Sequence, residues 1–553
     1  MPPSAIQGER TSQHKSRNGC ITCKQKRVKC NEGHPRCLRC IDTGITCRYV
    51  TNTPQVTKIA PATIGGRKAK RVLLPKREEA LLGLTSFRPS ATLLGETDVE
   101  NRYLRYFQQE TTSGFQSAWD WSVWNRLMLQ ASHQEAFIRD AVIAIGALHK
   151  SLRTASSTGS DQEHTDQLAQ LQRQFAYRTY GRALKRIQQA IDEGSDPQDA
   201  LMACLLIVCF ESHSGDRYKA MLHAQHGLRI YHQMKNRPYQ VEDEIVDAFH
   251  NLDIQISTCH DGRTIETHKQ LLDQDNVLAA SMPLAFTNLQ EAKRYWQIVM
   301  RRCCHFIPAA GNHVASGSYA RPFKTQNPGG VVVSAGSNIW SLCPKFDFKI
   351  QIQQAGYYDE VERWITAFEP MLRRIRRGAN NSVRDYATAT MLQIQALNTK
   401  IILAGMVYVS EMDFDDHYED FASIIKLSHD IVRIRNAGSP ISYFSGLFTL
   451  DLGIVVPLFT LLMKCRSRVF RYQALEILKD WHVEGWWDPQ LIYAMCKCLI
   501  DVEEEGMVGE EIPEESRVIL TSKCHAPPER RLLVQFMRRG KSGLEWVERW
   551  AEW

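Results

Sequence analysis

Six cysteines near the start of the chain concentrate its chemistry: Cys20, Cys23, Cys30, Cys37, Cys40 and Cys47. They read C-x2-C-x6-C-x6-C-x2-C-x6-C, two C-x2-C pairs with one more cysteine six residues beyond each. Where thiols are kept reduced, such a cluster is a metal site rather than a disulfide framework. Zinc favours tetrahedral thiolate coordination, and a C-x2-C turn places both sulfurs on one metal. Six sulfurs can give two metals four ligands each only if two sulfurs are shared. The count and the internal repeat therefore predict a two-zinc cluster with two bridging sulfurs.

Charge points to what the cluster meets. Six thiolates and two zinc ions leave a formal charge of minus two, which repels a phosphate backbone. Lys24, Lys26, Arg27 and Lys29 lie between Cys23 and Cys30 and more than offset it. The same asymmetry runs along the whole chain. Residues 1–77 hold 17 Lys and Arg against 3 Asp and Glu, a balance of +14, while residues 78–553 hold 51 against 58, or −7. A basic head on a mildly acidic body assigns contact with nucleic acid to the head alone.

The run from Gly19 through Cys23 to Cys30, with Pro35, Arg36, Cys37 and Cys40, resembles the DNA-binding domain of fungal zinc binuclear cluster transcription factors. The resemblance covers residues 17–50. It implies that Cys20 and Cys37 bridge both zinc ions, that Cys23 and Cys30 complete one, and that Cys40 and Cys47 complete the other. It also implies a helix in the major groove of double-stranded DNA, reading a CGG-type triplet. Lys26 and Arg27 match the base-reading positions, and Lys24 and Lys29 are expected on phosphates. The second half has fewer cations and is expected to act as a support. His14 and His34 lie nearby, but six sulfurs already satisfy the metals.

The elements that must position this site follow from composition and period. Residues 1–16 are expected to be a disordered tail and 51–96 a basic flexible linker. Arg67, Lys68, Lys70, Arg71, Lys76 and Arg77 within that linker suit nuclear import or phosphate contact. From 97 to 553 the signal is helical. Ala141–His149, Phe210–Glu211, Gly215–Asp216, Leu452–Leu458 and Glu484–Asp488 resemble, in order, the regulatory or middle homology domain of the same family. The implied architecture is a small zinc module with two short helices, followed by a large all-α regulatory domain. Loops are expected near 151–165 and 309–337, the second mobile. Tyr177, Tyr180, Leu184, Ile187 and Ile191 form a two-heptad seam, which suits a helix packed inside the domain. No long coiled coil follows the cluster, which leaves a homodimer open.

Other chemistries find little support. No G-x-S-x-G, P-loop or H-E-x-x-H is present, so an enzyme is not expected. Tyr443–Met463 approaches the length of a membrane span, but Asp451 and Pro457 interrupt it, and a buried helix pair is the expectation. The polar N-terminus does not read as a secretory signal. Asp501–Glu515, with eight carboxylates, is a possible contact for transcription machinery or coactivators. Leu544–Trp553 interleaves aromatics with acids, which suits either an activation segment or a terminal helix docked on the core with Trp546, Trp550 and Trp553 on one face, the docked helix being the expectation. The function expected is a nuclear, sequence-specific activator of a pathway gene set. A zinc-dependent protein-interaction module without its own DNA target is the alternative.

Overall fold

The computed structural model describes residues 20–26, 28–47, 95–112, 122–157, 162–194, 196–235, 241–259, 261–272, 275–310, 331–334, 348–378, 382–437, 450–481, 485–507, 512–526, 530–540 and 543–553. The expected tail at 1–16 lies outside them, as do 51–94 of the expected linker, the Tyr443 end of the apolar run and Arg27. The chain divides into two compact units, Met1–Leu81 and Leu82–Trp553. The first holds helices α1 (Ile21–Gln25) and α2 (Leu38–Asp42) around the buried cysteines.

The second unit is mostly helical. A Thr97–Glu100 capping box opens α3 (Asp98–Tyr106), which runs into a π-helical turn. Helix α4 (Met128–Gln134) leads to α5 (Ala136–Ala155), which is buried almost all round between Phe137 and His149. Gly146 is required there, because a Cβ would stand 2.6 Å from the Tyr103 carbonyl oxygen of α3. Helix α6 (Gln162–Asp192) lies on α5 through Ala169, Ala176 and Ala183, one small residue every two turns. Arg182 ties the pair to α3, bonding Asp140 at 2.8 Å and Glu100 at 2.6 Å.

That inner face revises the heptad seam. Tyr180 and Ile187 are buried, but Tyr177, Leu184 and Ile191 are exposed at the margin. The loop expected at 151–165 is also shorter than its composition suggested. Helix α5 continues to Ala155 and α6 begins at Gln162. The hydroxyls of Ser151 and Thr154 bond back to the Leu148 and Lys150 carbonyls at 2.8 and 2.9 Å, so polar residues remain compatible with helix.

Helices α7 (Pro197–Ser214), α8 (Arg217–Lys235) and α9 (Asp243–Cys259) extend this layer. Two short helices, α10 (Ile265–Leu272) and α11 (Asn276–Ala280), precede α12 (Leu289–Ala310), α13 (Phe348–Arg377) and α14 (Val383–Gly405). These three pack around Trp296, Trp364, Phe368 and Leu392. A second core joins α14 to α15 (Tyr418–Asn436), α16 (Val455–Lys464), α17 (Arg468–Lys479) and α18 (Pro489–Glu503). Within the membrane candidate, residues 450–463 are described and helix α16 begins only at Val455, and no described helix is long and apolar enough to cross a membrane.

The Glu484–Asp488 motif has a mechanical role. Gly485 has φ +56°, and a Cβ there would collide with the Gln255 side chain of α9. Trp486 then donates to Ser212 at 3.2 Å and Asp488 accepts from Arg217 at 3.1 Å, pinning the loop to α7 and α8.

Helix does not continue to the end of the chain. Strands β1 (Val331–Ser334), β2 (Val518–Ala526), β3 (Arg531–Gly540) and β4 (Gly543–Glu552) form an antiparallel sheet in the order β1-β2-β3-β4. The terminal segment expected as a helix is therefore β4. Trp546 and Trp550 face Met537 and Leu533 of β3 across the ladder. Leu532, Val534 and Phe536 point the other way, into the core that holds Met495 and Leu499. The long insertion expected at 309–337 contributes an edge strand, since Val331 pairs with His525, and Ala309–Ala310 still belongs to α12.

Candidate metal centre

The zinc module is one motif written twice, 17 residues apart. Cys20 precedes α1 and Cys37 precedes α2, so the second cysteine of each pair, Cys23 or Cys40, is the third residue of its helix. The backbone repeats with the same offset. Lys24 N–H donates to the Cys20 carbonyl and Ile41 N–H to that of Cys37, while Val28 bonds Cys23 as Ile45 bonds Cys40. The third cysteine of each half is met alike. Cys20 N–H donates to Cys30 Sγ at 3.4 Å, and Cys37 N–H to Cys47 Sγ at 3.2 Å.

The sulfurs converge. Cys20, Cys23, Cys30 and Cys37 have ligand atoms within 4.8 Å of one another, and so do Cys20, Cys37, Cys40 and Cys47. Cys20 and Cys37 belong to both tetrads and stand 3.7 Å apart. Bonds of about 2.3 Å to a tetrahedral zinc put neighbouring sulfurs about 3.8 Å apart. The Cys20–Cys40 and Cys23–Cys37 separations, 3.8 and 3.7 Å, match that span. All six thiols are free of disulfides, and only Cys47 is less than fully buried. The donor set thus fits two soft, tetrahedral divalent ions.

Backbone groups help hold the negative sulfurs. The Cys23 N–H points at Cys20 Sγ at 3.4 Å, and the Glu32 N–H at Cys30 Sγ at 3.4 Å. Burial alone would raise the Cys37 thiol, but the Cys40 N–H and neighbouring sulfurs bring it below the usual thiol range. Two braces join the halves. Thr22 donates its hydroxyl to the Thr46 carbonyl at 2.8 Å, and the Leu38 N–H donates to Asn31 Oδ1 at 2.9 Å.

The repeat also isolates the charge. Lys24, Lys26 and Lys29 are exposed on the first half. Their counterparts 17 residues on are Ile41, Thr43 and Thr46, and Arg27 corresponds to Gly44. The two halves share a metal scaffold, and only the first carries the lysine set. Thr22, Asn31 and Thr46 were not singled out from sequence, although the 17-residue repeat was a signal that could have located the inter-half contacts.

Two family models match the chain. The fungal Zn(2)-Cys(6) binuclear cluster domain covers residues 18–55, and the fungal specific transcription factor domain covers residues 102–261. Residues 18–55 and 102–261 thus carry the two domains that mark the fungal Zn(2)-Cys(6) transcription factors. As a family domain of this type, the module binds two zinc ions.

Similarity to individual members is distributed unevenly. The aspercryptin biosynthesis cluster-specific transcription regulator atnN of Emericella nidulans is 24% identical, over 94% of this chain and 93% of its own length. Transcription regulator lscL of Purpureocillium lilacinum is 25% identical over 39% of this chain and 49% of its own. Sterol uptake control protein 2 of Saccharomyces cerevisiae is 48% identical, but only over 42 residues, 8% of this chain and 5% of its own. No solved structure matches the chain. This family is one of transcription factors, not a class of enzymes, and its zinc cluster implies DNA binding.

Proposed function

We propose that this transcription factor is a nuclear, pathway-specific activator that docks its zinc module in the major groove of double-stranded DNA. Residues 17–50 form the DNA-binding module, 51–96 the tether, and 97–553 the regulatory domain that meets coactivators. Cys20 and Cys37 bridge the two zinc ions, Cys23 and Cys30 complete one site, and Cys40 and Cys47 complete the other. Lys26 and Arg27 contact base edges, and Lys24 and Lys29 contact phosphates. The large domain regulates and catalyses nothing.

One observation carries this reading: two sulfur tetrads share Cys20 and Cys37 beside an exposed lysine set present in only one half. The similarity to a cluster-specific regulator along nearly the full chain supports a gene set of one biosynthetic pathway. The test is selection of binding sites from random duplex DNA by the full chain loaded with zinc. Enrichment of a CGG-containing site is expected. Failure to enrich any sequence, with two zinc ions bound per chain, would overturn the reading.

A further inference from the structure

The large unit carries a net negative sequence, yet one strip of its surface is strongly positive. Helix α13 ends in Arg373, Arg374, Ile375, Arg376 and Arg377, and all four arginines are exposed. Ile375, together with Met371, Leu372 and Phe368, is buried on the opposite side, so the helix is clamped and the arginines are held outward. Arg373 pairs with Glu369 at 2.6 Å. Among the described residues, Arg376 and Arg377 have no carboxylate within ion-pair distance, and Arg376 instead meets the Gln393 amide. Cations in a last turn stabilise the helix dipole. That role does not account for an excess of three over the single acid of the strip.

The strip is not purely polar. Ile365, Thr366, Pro370 and Gly378 lie along the same solvent-facing side as Glu369, Arg373, Arg374 and Arg377. Val383, which opens α14 just beyond, is half exposed. Apolar ground beside a row of guanidinium groups suits carboxylates spaced by apolar side chains. It suits a phosphodiester backbone less, since a backbone of phosphates and sugars brings no apolar side chains to Ile365 and Pro370.

We propose that the α13 strip from Ile365 to Arg377 is a docking surface for an acidic peptide segment bearing apolar side chains. The arginines select and orient the carboxylates, and Ile365 and Pro370 give the apolar side chains a place to rest. This surface belongs to the regulatory domain and does not involve the zinc module.

The test uses the full zinc-loaded chain and a fluorescent twelve-residue probe in which Asp and Glu alternate with Leu and Phe. Anisotropy titrations compare the native chain with R373Q/R374Q/R376Q/R377Q. The basic N-terminal head is the same in both proteins, and excess unlabelled duplex DNA in every titration occupies it, so that the probe reports on the large domain. The quadruple variant is expected to bind the probe at least tenfold more weakly, with an unchanged thermal melt. Glu369→Gln, which removes the one competing acid, should tighten binding two- to threefold, a gain that misfolding cannot produce. Equal affinity of the native and quadruple chains would overturn the proposal. A matching loss of affinity for random duplex DNA would overturn it too, by making the strip a nucleic-acid surface. So would an undiminished affinity for a probe of Glu alone, by removing the part given to the apolar residues.

Discussion

Cys20 Sγ and Cys37 Sγ stand 3.7 Å apart, each at the start of its own helix and each a member of both sulfur tetrads. The two halves of the module therefore depend on one another. Neither half can complete four ligands from its own three cysteines.

That dependence gives an unequal response to cysteine removal. Cys47→Ala leaves Cys20, Cys23, Cys30 and Cys37 together, so about one zinc ion per chain should remain. Cys37→Ala breaks both tetrads and should bring zinc content close to zero. DNA affinity should then fall more than a hundredfold, because metal affinity is folding free energy in so small a domain. Metal analysis of the purified variants checks this. A full zinc ion retained by Cys37→Ala would contradict sharing.

The lysines should separate by role. Lys24→Ala and Lys29→Ala are expected to weaken binding to all sequences alike and to reduce the salt slope by about one. Lys26→Ala and Arg27→Ala should instead flatten the preference for the central triplet, at a cost of about 1–3 kcal/mol each for a bidentate contact. Affinities on matched and mismatched sites, over a range of salt, distinguish the two patterns.

The large domain should be sensitive to acid. His149 is held down to about 3, and His213, His232 and His268 to about 4, in each case first by burial. An unfolded histidine titrates near 6.5. Between that value and the folded ones the unfolded chain binds more protons, so stability is present above about pH 6.5 and is lost as pH falls. At about 1.4 kcal/mol per pH unit, each of the four can contribute up to about 3 kcal/mol between pH 6.5 and 4.5. Chemical denaturation between pH 7.5 and 4.5 should show a steady decline. His232→Phe should flatten the curve, and an identical slope in that variant would remove His232 from the account.

How much of this was legible in the sequence depended on how local the determinants are. The zinc ligands sit within 28 residues, and their spacing specifies the chemistry before any tertiary contact forms. Helices such as α5 were legible from their apolar runs. The terminal strand was not. Trp546 and Trp550 are four apart, which is both about one helical turn and an even number of strand steps, so the period cannot choose. The choice comes from β3, which supplies Met537 and Leu533 as cross-strand partners and leaves the ladder bonds to be filled. The seam on α6 holds only in part, for a related reason. Alanines every seven residues make the close contact with Tyr180 and Ile187 buried beside them, while Tyr177, Leu184 and Ile191, which weigh as much in a reading by hydrophobicity, lie toward its edge.

The acidic stretch from Asp501 to Glu515 shows the same limit and yields the sharpest structural prediction. By composition it suits a contact with transcription machinery, yet its third residue is fully buried. Glu503 pairs with Arg466 at 3.1 Å and with Arg471 at 2.6 Å, and it accepts from the Val518 N–H at 2.8 Å. It thereby joins α18 to α17, to the segment after α16 and to the first residue of β2. Arg466 and Lys464 also reach Glu411, at 3.2 and 2.7 Å, so the two carboxylates hold three buried cations between them. Glu503→Gln keeps the shape but leaves two guanidinium groups short of a counter-charge, which should cost about 3–5 kcal/mol. Glu505, two residues on, meets Arg549 at 3.2 Å with both side chains well exposed. Glu505→Gln should therefore change stability by no more than about 0.5 kcal/mol. Denaturant melts of the two variants decide between a structural stretch and a recruiting one. A stable Glu503→Gln protein that binds DNA but has lost activation would assign the acid to recruitment instead.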